Sequence, residues 1–316
     1  MDKECGMYQI LEINLTAGNG AEKIIQEIAA SPLHGKLILR DDKFLGKEWY
    51  GEHLVNHLEF FTPKRELADA AALLEKLFPM ESPDAQQPGQ EDPGQECRVF
   101  LYQKMEGNWK DGGKNPRIYL KIVKWPFQIP FVLELIPFEG ATLPLQEKAL
   151  ERGQQEEQAT YHMFTAEEYL SRSFYHIMDD LELVYSLSWY RDVYGILTGH
   201  VVEGRKVSQS FGQLLLEDAI PRLEERLEII SSFEEYGYMQ KRWENFCGRV
   251  SGVSQPEAEE RHGGEEKGDS LGSEECPEWG HVIQLLVKFI SPVVDATLRD
   301  ELFIGDWMPQ FGRYLG

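Results

Sequence analysis

Cysteine is scarce in this 316-residue chain: Cys5, Cys97, Cys247 and Cys276 lie far apart, and no two form a Cys-x-x-Cys pair. That spacing excludes a zinc ribbon and favours unpaired thiols in a reducing, cytoplasmic setting over a disulfide scaffold. No basic patch followed by an apolar run opens the sequence, so no secretory leader is visible. Long apolar runs are also missing. The stretch Pro130–Phe138 falls far short of the roughly 20 residues that span a bilayer, so no membrane role is expected. The phosphate loop Gly-x-x-x-x-Gly-Lys-Ser/Thr, the nucleophile elbow Gly-x-Ser-x-Gly, His-Glu-x-x-His and Gly-x-Gly-x-x-Gly are all absent.

Positive charge is in short supply as well. Thirty-two Lys and Arg face 54 Asp and Glu, a formal net charge of −22 that disfavours nucleic acid. Half of that excess sits in two segments. Residues 81–96 hold five acids, no base and three prolines, and residues 251–277 hold eight acids, two bases and five glycines. Their composition offers no apolar face, so both read as acidic loops. The whole chain is 42% hydrophobic and long enough for about two domains. Against the acidic background, 98–125 carries Arg98, Lys104, Lys110, Lys114, Arg117, Lys121 and Lys124 with only Glu106 and Asp111. Tyr102, Trp109, Tyr119 and Trp125 are interleaved there. The mixture suits phosphate contact with base stacking, or equally an edge hairpin kept soluble by lysine.

The local patterns predict an α+β N-terminal domain over 1–142 and a helical domain over 143–316. Tyr8–Asn14 alternates like a strand and runs into Thr16-Ala-Gly-Asn-Gly20, a turn cluster. Ala21–Ala30 has helical spacing and stops at Ser31-Pro32, and Lys36–Arg40 and Leu54–Phe61 are short apolar runs. Thr62 is placed to cap a helix with Pro63 in its first turn and with Leu67, Ala70, Ala71, Leu74 and Leu77 buried. Val99–Lys104 and Ile118–Lys124 predict an antiparallel hairpin. Phe131–Ile136 is a strand bracketed by Pro130 and Pro137, which suggests an exposed margin. Thr165-Ala-Glu-Glu168 has the form of a capping box, and further helices are expected over about 180–198, 207–230, 233–248 and 279–302. Arg191-Asp192, among Trp189, Tyr190 and Tyr194, reads most simply as a partly buried ion pair orienting two helices.

His53 and His57 are four apart, but on a strand that spacing only shares a face, so a metal pair is the weaker reading. The segment Phe44–Pro63 carries a different signal. Gly46-Lys47 is followed nine residues later by His57-Leu-Glu-Phe-Phe-Thr62, and Leu133-Glu134-Leu135 lies on a later strand. This arrangement resembles the signature of the nucleotidyltransferase fold, specifically the AbiEii/AbiGii toxin family of bacterial abortive-infection systems. That family has a small-residue turn, then Asp-hydrophobic-Asp-Phe-Phe-Thr on a strand, then a third carboxylate on a neighbouring strand. Ala166–Ile177 resembles its lysine-bearing helix, and Tyr190–Leu197 its Arg-Asp-aromatic-Tyr-Asp-Leu element, so the likeness spans roughly 36–300.

The resemblance implies the fold, a nucleoside triphosphate ligand and an antitoxin-like protein partner. It also implies Mg²⁺ held by Glu59 and Glu134, with His57 at the position of the remaining ligand and with phosphate contacts from Gly46, Lys47 or Arg172. Lys110 and Lys114, at the hairpin tip, could reach over the cleft to a triphosphate. Carboxylates two apart on a strand point the same way, and one on the adjacent strand completes an oxygen cage for a hard cation. The departures are His57 and Glu59 where Asp is usual, Lys47 in the turn, Ser173 at the lysine position beside Arg172, and Gly195 for the last Asp. They imply a diverged member whose nucleotidyl transfer is weakened or lost. The second reading is a non-catalytic interaction module that keeps the fold, with Glu59 and Glu134 as polar residues on an open sheet face.

Overall fold

The computed structural model describes residues 2–41, 56–80, 97–103, 115–124, 126–138, 145–150, 159–184, 186–250 and 276–316. The fold is α+β, with a mixed sheet and helices. The chain divides into two compact units, Met1–Thr165 and Ala166–Gly316.

Unit 1 opens with α1 (Asp2–Ala29), one helix that runs straight through the expected strand Tyr8–Asn14 and the Gly-Asn-Gly cluster. Gly20 serves packing rather than a turn. At Gly20 a Cβ would run into the Ile122 side chain, so the bare backbone lets α1 lie close against the sheet. The sheet has seven strands: β1 (Ile38–Leu39), β2 (His57–Pro63), β3 (Arg98–Gln103), β4 (Arg117–Lys124), β5 (Phe127–Phe138), β6 (Leu145–Ala149) and β7 (Thr160–Phe164). Their order is β3-β4-β5-β2-β1-β7-β6, with β2–β5 and β1–β7 parallel and the other pairs antiparallel. The first unit therefore runs past the expected boundary at 142, because β6 and β7 add to its sheet.

Period-2 alternation sorts the faces. Leu58 and Phe60 of β2, Ile118, Leu120 and Ile122 of β4, and Leu133 and Leu135 of β5 enter one core with α1 and α2 (Leu67–Leu77). In α2, Leu67, Ala70, Ala71 and Leu74 are buried as expected, and Leu77 is partly buried. Thr62 does not cap this helix. It belongs to β2, its hydroxyl is buried and meets no hydrogen-bond partner among the described residues, and a one-turn 3₁₀ helix (Lys64–Glu66) intervenes. The expected hairpin is present as β3 and β4, while its tip, 104–114, and the acidic segment 81–96 lie outside the described residues.

Strand β5 corrects the reading of Pro130 and Pro137 as strand ends on a margin. It is an interior strand of twelve residues with both prolines inside it. Its pairing explains the tolerance. β4 pairs with 127–134 and β2 with 132–138. Each proline thus sits where β5 has a single neighbour, and neither need supply an N–H on both sides.

Unit 2 holds α3 (Ala166–Asp180), α4 (Ser188–Gly199), α5 (Gly204–Glu217), α6 (Leu223–Ser232), α7 (Gly237–Val250) and α8 (Trp279–Leu298). The helix expected over 207–230 is two, parted around Pro221, with Arg222 at a left-handed φ of 55°. A small sheet, β10-β9-β8 (Arg313–Leu315, Asp306–Met308, Val202–Glu203), was not legible in advance. α8 is long and apolar enough to cross a membrane by length and composition, which corrects the view that no run approaches that length. Here its stripe Val282, Ile283, Leu286, Phe289, Ile290, Val293 and Val294 is buried. Phe289 stacks on Phe174 and meets Trp307 edge-on.

Cys247 and Cys276 form a disulfide, contrary to the expectation of unpaired thiols. Twenty-nine residues separate them in sequence, but packing erases that distance. Trp243 of α7 packs on Trp279 of α8 and donates its indole N–H to the Pro277 carbonyl at 2.8 Å, drawing the two cysteine-bearing ends together. Most of the second acidic segment, 251–275, lies outside the described residues. Arg191-Asp192 pairs at 3.2 Å, and the Tyr169 hydroxyl of α3 donates to Asp192 of α4 at 2.6 Å, so the pair links two helices as expected.

Candidate metal and nucleotide site

The site is set by register. Glu59 on β2 lies directly opposite Glu134 on the parallel strand β5, and both alternate with core residues. They therefore share the sheet face turned away from the α1–α2 core. His57, two residues before Glu59, joins them, and one ligand atom from each of the three lies within 4.8 Å of the others. This group could hold a metal ion.

Both carboxylates have cationic partners that sequence reading missed. Arg40 extends the β1–β2 ladder, donating its backbone N–H to Glu59 O at 3.0 Å, and its guanidinium donates to Glu59 Oε2 at 2.7 Å. Arg117 lies opposite Glu134 across the β4–β5 pair and donates from Nε to Glu134 Oε2 at 2.7 Å. Asn115 donates to the other oxygen at 2.9 Å, and His57 Nε2 stands 3.6 Å from Oε2. Arg117 had been noticed only as part of the basic hairpin. The available signal was its parity: it alternates with Ile118, Leu120 and Ile122, so it had to share the face of Tyr119 and Lys121. Arg40 had no comparable signal, being the last polar residue after an apolar run.

The Glu134 side chain is only 3% exposed. Burial pushes its carboxyl pKa up, but hydrogen bonding with His57, Asn115 and Arg117 and the Arg117 charge outweigh that and hold it at about 2. Two carboxylates and two guanidiniums leave these four groups without net charge. A bare cation must therefore compete with arginine for the same oxygens.

Gly46, Lys47, Lys110 and Lys114 lie outside the described residues, as does His53. Arg172 is corrected as an open phosphate contact. It is buried in unit 2 and pairs with Glu168, one helical turn earlier, at 2.7 Å. Burial pushes its pKa down while Glu168 and Glu217 oppose the change. A guanidinium sealed in this way is committed to its carboxylate.

No protein family and no curated protein matches the sequence. The crystal structure of JHP933 from Helicobacter pylori is similar over 90% of this chain and 97% of that one, with 11% identity and a TM-score of 0.42. A likeness that distant carries no argument about activity or ligand.

Proposed function

We propose that this chain is a diverged nucleotidyltransferase-like protein of the AbiEii type. In this reading His57, Glu59 and Glu134 take up a divalent cation together with a nucleoside triphosphate, with nucleotidyl transfer weakened or lost. The observation that carries the reading is the placement of Glu59 opposite Glu134 on neighbouring parallel strands, on the face away from the core, with His57 in reach of the same ion. A metal–triphosphate complex fits the balanced charge better than a bare ion. The cation goes to the carboxylates, and half-buried Arg117 turns its planar fork to the phosphates. Arg40, almost fully enclosed, stays behind Glu59 and fixes it. Having His57 where the family has a carboxylate lowers the site's charge and replaces a hard oxygen with nitrogen. Mn²⁺ should then serve better than Mg²⁺. A cytoplasmic toxin or phage-defence role with an antitoxin-like partner belongs to the same proposal.

The guanidinium partners favour a second reading. Carboxylates already neutralised can be a structural ion-pair network on a non-catalytic interaction module. Thermal melting with each of the four nucleoside triphosphates, with and without Mn²⁺ or Mg²⁺, separates the two. Ligand at about a hundred times Kd stabilises by roughly 2.7 kcal/mol. The first reading expects a raised melting temperature only when metal and nucleotide are both present, and the second expects none under any condition.

A further inference from the structure

A second group of metal-ligating side chains lies on the other side of β1 from Glu59. It owes nothing to the proposed nucleotide site. His34, Glu147 and His162 each offer a ligand atom within 4.8 Å of the other two. We propose that these three residues bind a nitrogen-preferring divalent cation of the Zn²⁺ class.

Three separate pieces of chain build the arrangement. Glu147 on the edge strand β6 and His162 on β7 are direct cross-strand partners. Ile38 of β1 lies opposite His162 on the other side, so the turn leading into β1 passes the same place. That turn is well braced. Ser31 Oγ donates to Ile28 O at 2.8 Å and accepts from Leu33 N at 3.1 Å, and His34 N donates to Ser31 O at 3.1 Å. Gly35, at a φ of 76°, turns the chain immediately after His34 where a residue with a side chain would be strained. The His34 and His162 rings then stand 4.9 Å apart, centroid to centroid.

Thr160 holds the two exposed ligands. Its hydroxyl donates to Glu147 Oε1 at 2.7 Å and stands 3.3 Å from His34 Nε2. Outer-shell contacts of this kind orient metal ligands. His162 supplies the observation that calls for an ion. Its Nδ1 is shut off from solvent and meets no hydrogen-bond partner among the described residues. A sealed polar atom without a partner is costly, and a cation drawn between the three residues is a partner that the described residues do not supply.

Donor chemistry selects the class of ion. Two imidazoles and one carboxylate suit Zn²⁺ and its first-row neighbours, whereas Mg²⁺ wants oxygen throughout. Three protein ligands leave a fourth tetrahedral position open to water or an exchangeable ligand. Occupied, the site would clamp the α1–β1 turn to the β6–β7 edge of the sheet.

The test is calorimetric titration of Zn²⁺ into the full-length chain and into His34→Gln, Glu147→Gln, Thr160→Val and Glu59→Gln. His34 and Glu147 are exposed, so their variants should fold, and a melting curve on each checks this. The wild type should take up one Zn²⁺ equivalent that His34→Gln and Glu147→Gln both lose, that Glu59→Gln keeps and that excess Mg²⁺ does not displace. Thr160→Val should weaken it by about ten- to a hundred-fold. Co²⁺ should give the intense visible bands of a tetrahedral centre in the wild type and not in His34→Gln. Unchanged Zn²⁺ uptake in folded His34→Gln and Glu147→Gln, or displacement by Mg²⁺, would overturn the assignment.

Discussion

Replacing Glu134 by glutamine probes the β2–β5 cluster through its protons. The carboxyl pKa stands at about 2 against an ordinary 4.5. Burial alone would raise it, so the fall measures how strongly His57, Asn115 and Arg117 favour the charged form. A displacement of that size corresponds to roughly 3 kcal/mol of folding free energy. The sign follows from the direction. Because the folded pKa is the lower one, the stabilisation is complete above 4.5, declines as pH falls, and is gone below about 2. Glutamine has nearly the same shape but neither titrates nor carries charge for Arg117. Wild type should therefore exceed Glu134→Gln by up to about 3 kcal/mol near neutral pH, with the gap closing as the solution is acidified. Urea unfolding of both proteins across that range reads the gap directly, since the other carboxylates titrate in both. A gap of constant size at every pH would refute the reasoning, because it would mean the network does not hold a charged carboxylate.

Gly20→Ala should destabilise by about 1–3 kcal/mol, since the new methyl meets fully buried Ile122. Gly195→Ala, on α4 with nothing within 4 Å of the new methyl, should stabilise by about 0.5–1 kcal/mol; thermal unfolding of both reads the contrast. Cys247→Ser, which opens a loop of 29 residues, should cost about 3–4 kcal/mol in denaturant unfolding, and a reductant should produce the same loss in the wild type alone. Tyr169→Phe removes the 2.6 Å hydrogen bond to Asp192 and should cost about 1.5–3 kcal/mol in thermal unfolding.

Much of the sheet was legible because alternation survives in β2, β3 and β4, and the stripe of α2 survives likewise. That Glu59 and Glu134 would lie on neighbouring strands was implied by the resemblance to the AbiEii/AbiGii signature, before their register was known. Other features lost to tertiary context. The glycines near residue 20 carry a turn signature, yet α1 runs through them and Gly20 permits close approach to β4. The prolines of β5 look like ends until its two half-neighbours are seen. β6, with the pattern Leu-Gln-Glu-Lys-Ala, has little apolar signal because an edge strand of this kind buries little. Arg40 and Asn115 were missed because a partner for a charge is a spatial fact. His34, Glu147 and His162 come from three distant pieces of chain with no shared spacing, so no motif announced them.

The most direct test of the nucleotide reading is a calorimetric titration of Mn²⁺ with nucleoside triphosphate into the wild type and His57→Asp. Restoring an acid at 57 puts two carboxylates on one face of β2, beside Glu134. Binding that requires both metal and nucleotide, and that tightens about ten-fold or more in His57→Asp, is the predicted result. Flat traces for both proteins would contradict the account and leave Glu59 and Glu134 as members of an ion-pair network only.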